Sequence, residues 1–539
     1  MASRGATIAA VYDYVVVGAG SAGCVLAARL GEDPGTRVLL LDAGPPDSAP
    51  ELHLPVGLER LWHGRFDWGF ISEPEPGLAD QRLYLPRGRV LGGSSSLNAM
   101  LYVRGNRADY DAWAAMGLDG WGYEDTLPYF KKAEDNERGA SYYHGAGGPL
   151  SVSDGRSKHR YAAAMIEAAA QAGIAETDDH NGATQEGVGW FQVTQRNGRR
   201  CSTALAYLAP ERLGEGVEVL TDTYATRVLF EGDRAVGVEV VRADAVESIR
   251  AQREVILCAG AYQSPQLLLL SGIGPPEELR AFGIEPRAQL PVGRNLQDHP
   301  VVTLAWLADG ESLSAAMTPE NVERFEREGR GPLTSTLVEA GAFVRTRPEL
   351  EAPDIQLHFF PVALPGSHFG PPVEGHGYTI APTLLHPSSR GAVTLRNSLP
   401  HTKPRIAHNY LSTEEDRRSL IDGVRLALEV GSRPALTALR RGELALPRSS
   451  SDADILDFAK QRTQTIFHPV GTCAMGAVVD AELRVLGVDC LRVVDASVMP
   501  TVPRGNTNAP TIMLAEKAAD MIRGRPPLPR AQDDRVGAA

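Results

Sequence analysis

VYDYVVVGAGSAGCVLAARLGEDPGTRVLLLDAG, residues 11–44, decides the fold. Apart from Asp13, residues 11–17 are β-branched and aromatic, the composition of a strand buried in a parallel sheet. Gly18, Gly20 and Gly23 follow at G-x-G-x-x-G spacing. Residues 24–30 read as a helix, 37–41 as a second buried strand, and Asp42 closes that strand. Gly18 permits the tight strand-to-helix turn, Gly20 lets the backbone approach a pyrophosphate, and Gly23 lets the helix pack on the strand. The pyrophosphate would sit on free N–H groups near Ser21 and Ala22, where the helix dipole is positive. Asp42, followed by Ala43, stands where an acid accepts hydrogen bonds from an adenosine ribose. The motif implies a dinucleotide and does not choose between NAD and FAD.

The chain has 539 residues, too many for one compact core, so two domains or one elaborated α/β body are expected. Its 43% hydrophobic and 22% charged residues suit an ordinary globular protein. A net charge of −13 argues against nucleic acid, whose phosphates need a basic surface. No basic run suited to a membrane surface is present, and no apolar stretch of about 18 residues suggests a spanning helix. MASRGATIAA leads almost directly into the first strand, leaving no room for a signal peptide, so a cytoplasmic location is the default expectation. Cys24, Cys201, Cys258, Cys473 and Cys490 form no C-x-x-C pair and read as reduced, partly buried thiols; no metal site is expected.

After a Pro-rich loop at 44–57 comes RGRVLGGSSSLNAMLYVRGNRAD, residues 87–109. Its small-residue loop suits close approach to an anion or a flat ring. GRVLGGSSSLN, residues 88–98, resembles the first signature of the glucose–methanol–choline (GMC) oxidoreductases, and GAYQSPQLLLLSGIG, residues 260–274, resembles the second. The likeness continues into the C-terminal segments and spans nearly the whole chain. It implies FAD as cofactor. Some members attach FAD through a His where this chain has Leu97, and leucine cannot form that bond, so non-covalent FAD is expected. The resemblance places Arg89, Gly92, Gly93, Ser96, Asn98 and Ala99 about the flavin, with Ala225, Ala259 and Gly260 as further contacts.

The chemistry falls to two C-terminal segments, TIFHPVGTCAMG with His468 and LRVVDASVMPTVPRGNTNAPTIMLAEKAADMI at 491–522. In the second, residues 491–494 read as a buried strand ending in Asp495 and Ala496, and Pro510 is expected to open a helix to Ile522. That helix N-terminus, preceded by Asn506, Thr507 and Asn508, would stabilise negative charge on reduced flavin. Alcohol oxidation needs a base near the hydroxyl and a polar group holding the same oxygen. The resemblance assigns these roles to His468 and Asn506; a register shift of two would substitute Asn508. Pro469 restrains His468 toward an extended backbone.

Elsewhere, strands are expected at 217–241, with a turn at 231–233, and at 254–259. A helix should begin at Ser264-Pro265. GRNLQDHP, residues 293–300, contains His299, read either as a group on the flavin's substrate side or as a histidine packed under a loop. Strands at 340–344, 354–361, 378–385 and 392–395 suit a sheet with one packed face. Helices are expected at 414–430 and 452–462. Glu339 reads either as a cation-binding carboxylate, as a choline-like substrate would need, or as a surface or salt-bridged residue. The fold class is thus α/β, α+β overall. A Rossmann-like FAD-binding domain (1–155, 205–305, 463–525) joins a substrate domain on a large antiparallel sheet (156–204, 306–462), with a loose tail at 526–539. The resemblance implies oxidation of an alcohol with transfer of electrons to a quinone or protein acceptor. An oxidase using O₂ and a lyase of the same fold are the alternatives.

Overall fold

The computed structural model describes residues 11–366, 373 and 375–532. The leader reading at residues 1–10 and the last part of the tail, 533–539, lie outside the described residues. Two large sheets organise the chain. In the first, Val217–Leu220, Val38–Leu41, Val11–Val17 and Ala245–Leu257 lie side by side and parallel. Ala245–Leu257 is longer than the sequence suggests because it changes partner. Its first half closes an antiparallel pair with Arg234–Arg242, which in turn pairs with Thr223–Glu231, and its end runs parallel to Leu491–Val493. Val17 pairs with both Leu41 and Leu257, so the strands end at one edge of the sheet. Gly18, Asp42, Cys258 and Asp495 emerge there, the edge where open parallel sheets bind ligands.

Helix α1, Ser21–Leu30, follows the first strand and begins three residues earlier than its sequence pattern suggested. Gly18 adopts φ +103°, and a Cβ on Gly23 would stand 1.9 Å from the Gly18 carbonyl oxygen. The helix therefore lies directly on the turn, which only glycine allows. Helix α2, Gly260–Leu270, starts well before the expected Ser264-Pro265 and carries Pro265 inside it. Proline has no N–H to give the Ala261 carbonyl. The Thr472 hydroxyl donates to that carbonyl at 2.7 Å instead, so a distant residue makes the early start possible. Helix α3, Asn508–Ile522, begins two residues before the expected Pro510, which sits within its first turn.

In the second sheet every pairing is antiparallel. Its order is Arg440–Ala445, Leu304–Ala308, Gly377–Leu384, Ile355–Phe360, Ala340–Val344 and Gly187–Trp190, with Pro300–Val301 beside Gly377–Leu384 and Gln464–Thr465 beside Pro300–Val301. The expectation of one packed face is corrected here: Ile355–Phe360 and Gly377–Leu384 are buried throughout. Ile355, Leu357 and Phe359 join the apolar cluster that includes Leu420, Val424 and Ala427 of the helix Glu414–Gly431. His358 and Phe360 face a cavity on the other side. Ala392–Thr394, read as part of the same texture, instead pairs with Arg405–Ala407 in a separate ribbon. The tail expected to hang loose is docked through 531: Leu528 N–H donates to the Tyr129 hydroxyl, and Arg530 pairs with Asp125 at 2.7 Å.

Thr472→Val removes the one hydroxyl that serves the Ala261 carbonyl and keeps the side-chain shape. A buried carbonyl left unpaired costs about 1–3 kcal/mol. The urea midpoint should fall accordingly with an unchanged slope; an unshifted midpoint would remove this bond from the account of α2.

Candidate active site

One continuous cavity runs along the strand-end edge of the first sheet and under the second. Its lining includes Gly18, Gly20, Ser21, Ala22, Asp42, Ala43, Gly93, Asn98, Ala99, Ala225, Ala259, Gly260, Asp495, Ala496, Asn506, Thr507, Asn508 and His468. The sequence-derived residues are thus largely brought together. Four stand behind the wall. Gly23 packs on Gly18, the Gly92 N–H donates to the Ala19 carbonyl, the Ser96 hydroxyl donates to the Leu91 carbonyl, and the Arg89 guanidinium donates to the Ala43 carbonyl.

The donor set suits an anionic, hydroxyl-bearing dinucleotide. Helices α1, α2 and α3 all open on this cavity. None has a side-chain cap of its own or an acid in its first turn, so their N–H groups and dipoles favour negative charge. The Asp42 carboxylate accepts the Ala19 and Gly44 N–H groups at 2.8 and 2.7 Å, one on each oxygen, and burial pushes its pKa up to about 6. Hydroxyl donors would fill its remaining lone pairs. Asp495 accepts the Gly260 N–H at 2.9 Å and the Ser264 hydroxyl at 2.5 Å. The Ser21 hydroxyl donates to Asn508 Oδ1 at 2.7 Å, tying the starts of α1 and α3 together.

At the other end of the cavity His468 is gripped at three atoms. Its backbone N–H donates to Asp298 Oδ1 at 2.7 Å, its Nδ1 lies 3.0 Å from His299 Nδ1, and its Nε2 lies 3.2 Å from Asn506 Nδ2. The far end of this chain sets the protons. His299 Nε2 lies 3.0 Å from the Leu385 carbonyl, which can only accept, so Nε2 carries the hydrogen. In neutral His299, Nδ1 is then bare and accepts from His468 Nδ1–H. His468 Nε2 is bare in turn and accepts from the Asn506 amide. His299 is therefore neither a cavity wall nor mere loop packing: it lies behind His468 and fixes its tautomer.

Burial, reinforced by His299, His358 and Arg87, pushes the His468 pKa well below the ordinary histidine value. Burial pushes His299 down to about 4. Both rings are neutral at neutral pH, the state a base needs. Phe467, directly before His468, has φ +68°, a strained conformation for an aromatic residue; Met100 and Leu337, which also line the cavity, share it. Sequence reasoning missed Asp298, Arg87 and His358. The first two lie in the quoted QDHP and RGR stretches, but nothing local shows that Asp298 reaches across to residue 468. Asn506 Oδ1 is buried without a protein partner, and Asn508 is engaged by Ser21. Asn506, not Asn508, therefore faces His468.

The GMC oxidoreductase family matches over residues 12–301 and again over 387–515. The chain belongs to that family. Among curated relatives, the human "Choline dehydrogenase, mitochondrial" is 45% identical over 98% of this chain and 92% of its own. The Pseudomonas putida "Alcohol dehydrogenase [acceptor]" is 42% identical over 95% and 96%. The Xanthomonas euvesicatoria "Oxygen-dependent choline dehydrogenase" is 44% identical over 97% of each. Among solved structures, pyridoxine 4-oxidase from "Mesorbium loti" superposes with TM-score 0.88 at 33% identity, covering 96% of this chain and 100% of its own. A formate oxidase gives TM-score 0.90 at 27% identity, covering 96% and 98%. This GMC protein is an FAD-dependent oxidoreductase of the alcohol-oxidising type.

The buried neutral histidines make stability depend on pH. Unfolded His299 takes a proton near pH 6.5, whereas folded His299 resists until about pH 4. Its contribution is complete above pH 6.5 and is lost as pH falls toward 4, by up to about 1.4 kcal/mol per pH unit. His299→Asn should flatten the decline of the urea midpoint between pH 6.5 and 4.5; an equal decline in both proteins would contradict the depressed value.

Proposed function

We propose that this GMC oxidoreductase converts a CH–OH group to an aldehyde or ketone, with His468 as base and Asn506 as holder of the hydroxyl oxygen. The observation that carries this reading is the bare Nε2 of a neutral, buried His468, 3.2 Å from the Asn506 amide at the cavity wall. An alcohol hydroxyl that displaces this bond from the cavity side donates to Nε2 and accepts from the amide N–H. His468 takes the hydroxyl proton at Nε2 while Nδ1–H stays on His299. Asn506 then holds the oxygen, limiting rotation of the carbinol carbon.

Bound FAD supplies the two-electron acceptor that takes the hydride. Asp42 and Ala43 would meet the ribose, and Gly18, Gly20, Ser21 and Ala22 the pyrophosphate at the start of α1. Gly93, Asn98, Ala99, Ala225, Ala259 and Gly260 would line the flavin's flank, and Asp495, Ala496, Asn506, Thr507 and Asn508 its far end. Gly23, Arg89, Gly92 and Ser96 would hold these segments from behind. Leu97 lines the cavity and offers no nucleophile, which supports non-covalent FAD. We propose the domain division drawn from the sequence without its loose tail, with 306–462 as the main substrate wall and Pro300–Val301 and Gln464–Thr465 added to it by their pairing in the second sheet. We also propose a quinone or protein as electron acceptor, supported by the relatives named as acceptor-dependent and mitochondrial dehydrogenases. The oxygen-dependent relative marks the alternative.

Anaerobic stopped-flow absorbance with alcohols tests the reading: the oxidised flavin band should bleach and return only slowly in air. His468→Ala should keep FAD and slow bleaching by about 10²–10⁴-fold; normal bleaching would remove His468 from the mechanism. Because the base must be neutral and its pKa is depressed, bleaching should hold level across neutral pH. It should fall only below the ordinary histidine range. Gly20→Val should fold, since the nearest neighbour of an added Cβ is 3.9 Å away, yet purify without FAD; a yellow, fully loaded variant would displace the pyrophosphate site.

A further inference from the structure

The cavity near His468 is walled by Trp62, Leu101, Val338, Phe360, Leu364 and Ile466. Thr336, Leu337 and Val338 line the cavity just before the strand Ala340–Val344, whereas Glu339, the residue the sequence offered as a cation binder, does not. The Glu339 side chain is 6% exposed, its Oε2 accepts the His159 N–H at 2.6 Å, and it borders a separate small pocket with Arg138, Lys158 and Trp190. It is neither a surface residue nor a wall of the main cavity.

We infer that the substrate is an uncharged alcohol with an apolar aliphatic or aromatic body, not a quaternary-ammonium alcohol such as choline. This rests on the alcohol-oxidation reading above and narrows it. Among the described residues, the acids lining the main cavity are Asp42 and Asp495. Both stand at strand ends of the first sheet and already accept backbone N–H groups. The charge that does line the cavity near His468 is positive. Arg87 donates to the Pro86 carbonyl at 2.5 Å and to the Phe467 carbonyl at 2.7 Å, and no described carboxylate lies within ion-pair distance of it. A trimethylammonium group entering here would leave water, meet a guanidinium and find no counter-charge, a costly burial. Aromatic faces can hold such a group. Trp62 and Phe467 form an edge-to-face pair at 5.8 Å and 65°, and the Phe467 carbonyl holds Arg87, so a cation on these rings would still lie beside a guanidinium with no described carboxylate partner. An uncharged apolar body keeps its burial gain without that penalty.

Choline and 3,3-dimethylbutan-1-ol test this directly, because they share a shape and differ in charge. The FAD-loaded wild-type enzyme is mixed anaerobically with each, and with hexan-1-ol and benzyl alcohol, and the second-order rate constant of flavin reduction is read. The neutral isostere should exceed choline by at least about tenfold, the ratio that about 1.4 kcal/mol of differential binding gives. A neutral alcohol of another shape that outruns both leaves the inference standing, provided choline trails its isostere. Choline equal to or faster than its isostere overturns the inference while leaving alcohol oxidation intact. If no alcohol in the panel bleaches the flavin, the alcohol-oxidation reading falls and takes this inference with it.

Discussion

The Asp298 carboxylate is the constraint on which the site depends. It is 2% exposed. Its Oδ1 accepts the N–H groups of His299 and His468 at 2.8 and 2.7 Å, and its Oδ2 accepts the Tyr410 and Thr465 hydroxyls at 2.7 and 2.6 Å. One buried group thus joins three segments far apart in sequence, 298–299, Tyr410 and 465–468. A carboxylate so deep would be costly without partners, and four donors offset the lost water. Because two of those donors are the backbones of the paired histidines, the charge also sets their separation. The proposed base is therefore held by its main chain as well as by its ring.

That grip explains the local strain. Phe467 holds a positive φ while its N–H donates to the Thr465 hydroxyl at 2.7 Å and its carbonyl accepts from Arg87. A cost of order 1–3 kcal/mol persists only where the surroundings over-determine the conformation, and Asp298, Arg87 and Pro469 do so here. In return the His468 ring stands fixed between His299 and Asn506. Fixing a base before the substrate arrives removes motion that would otherwise have to be frozen during reaction.

Much of the fold was legible because its signals are local. Strand and helix limits at Val11–Val17, Ala340–Val344 and Asp452–Arg462 coincide with the expected ones, since burial periodicity needs no partner to be read. The starts of α2 and α3 differ from the expected ones because a proline reads locally as a helix opener. In α2 that rule is overridden by Thr472, some two hundred residues away, and no local pattern announces such compensation. The glycine spacing located the cavity edge, but it could not separate residues that line the cavity from Gly23 and Gly92, which hold the lining up. Likewise the sequence offered His299 as flavin neighbour or loop packing. Which nitrogen faces which acceptor is a tertiary fact, and it makes His299 a proton-setting partner.

Apart from Asp42 and Asp495 at the strand ends, the polarity of the cavity is positive. Three helix N-termini and Arg87 bring positive potential to it, while burial keeps the histidines neutral. The two effects support each other. Positive surroundings and desolvation both lower a histidine's pKa, so Arg87 adds to burial in keeping His468 unprotonated. A base of depressed pKa is a weaker proton acceptor, yet the same positive potential stabilises the alkoxide that proton loss creates. In the proposed mechanism, proton removal is then favoured less by the strength of His468 than by the field around the oxygen it would deprotonate, and Asn506, placed to donate to that oxygen, is the local part of that field.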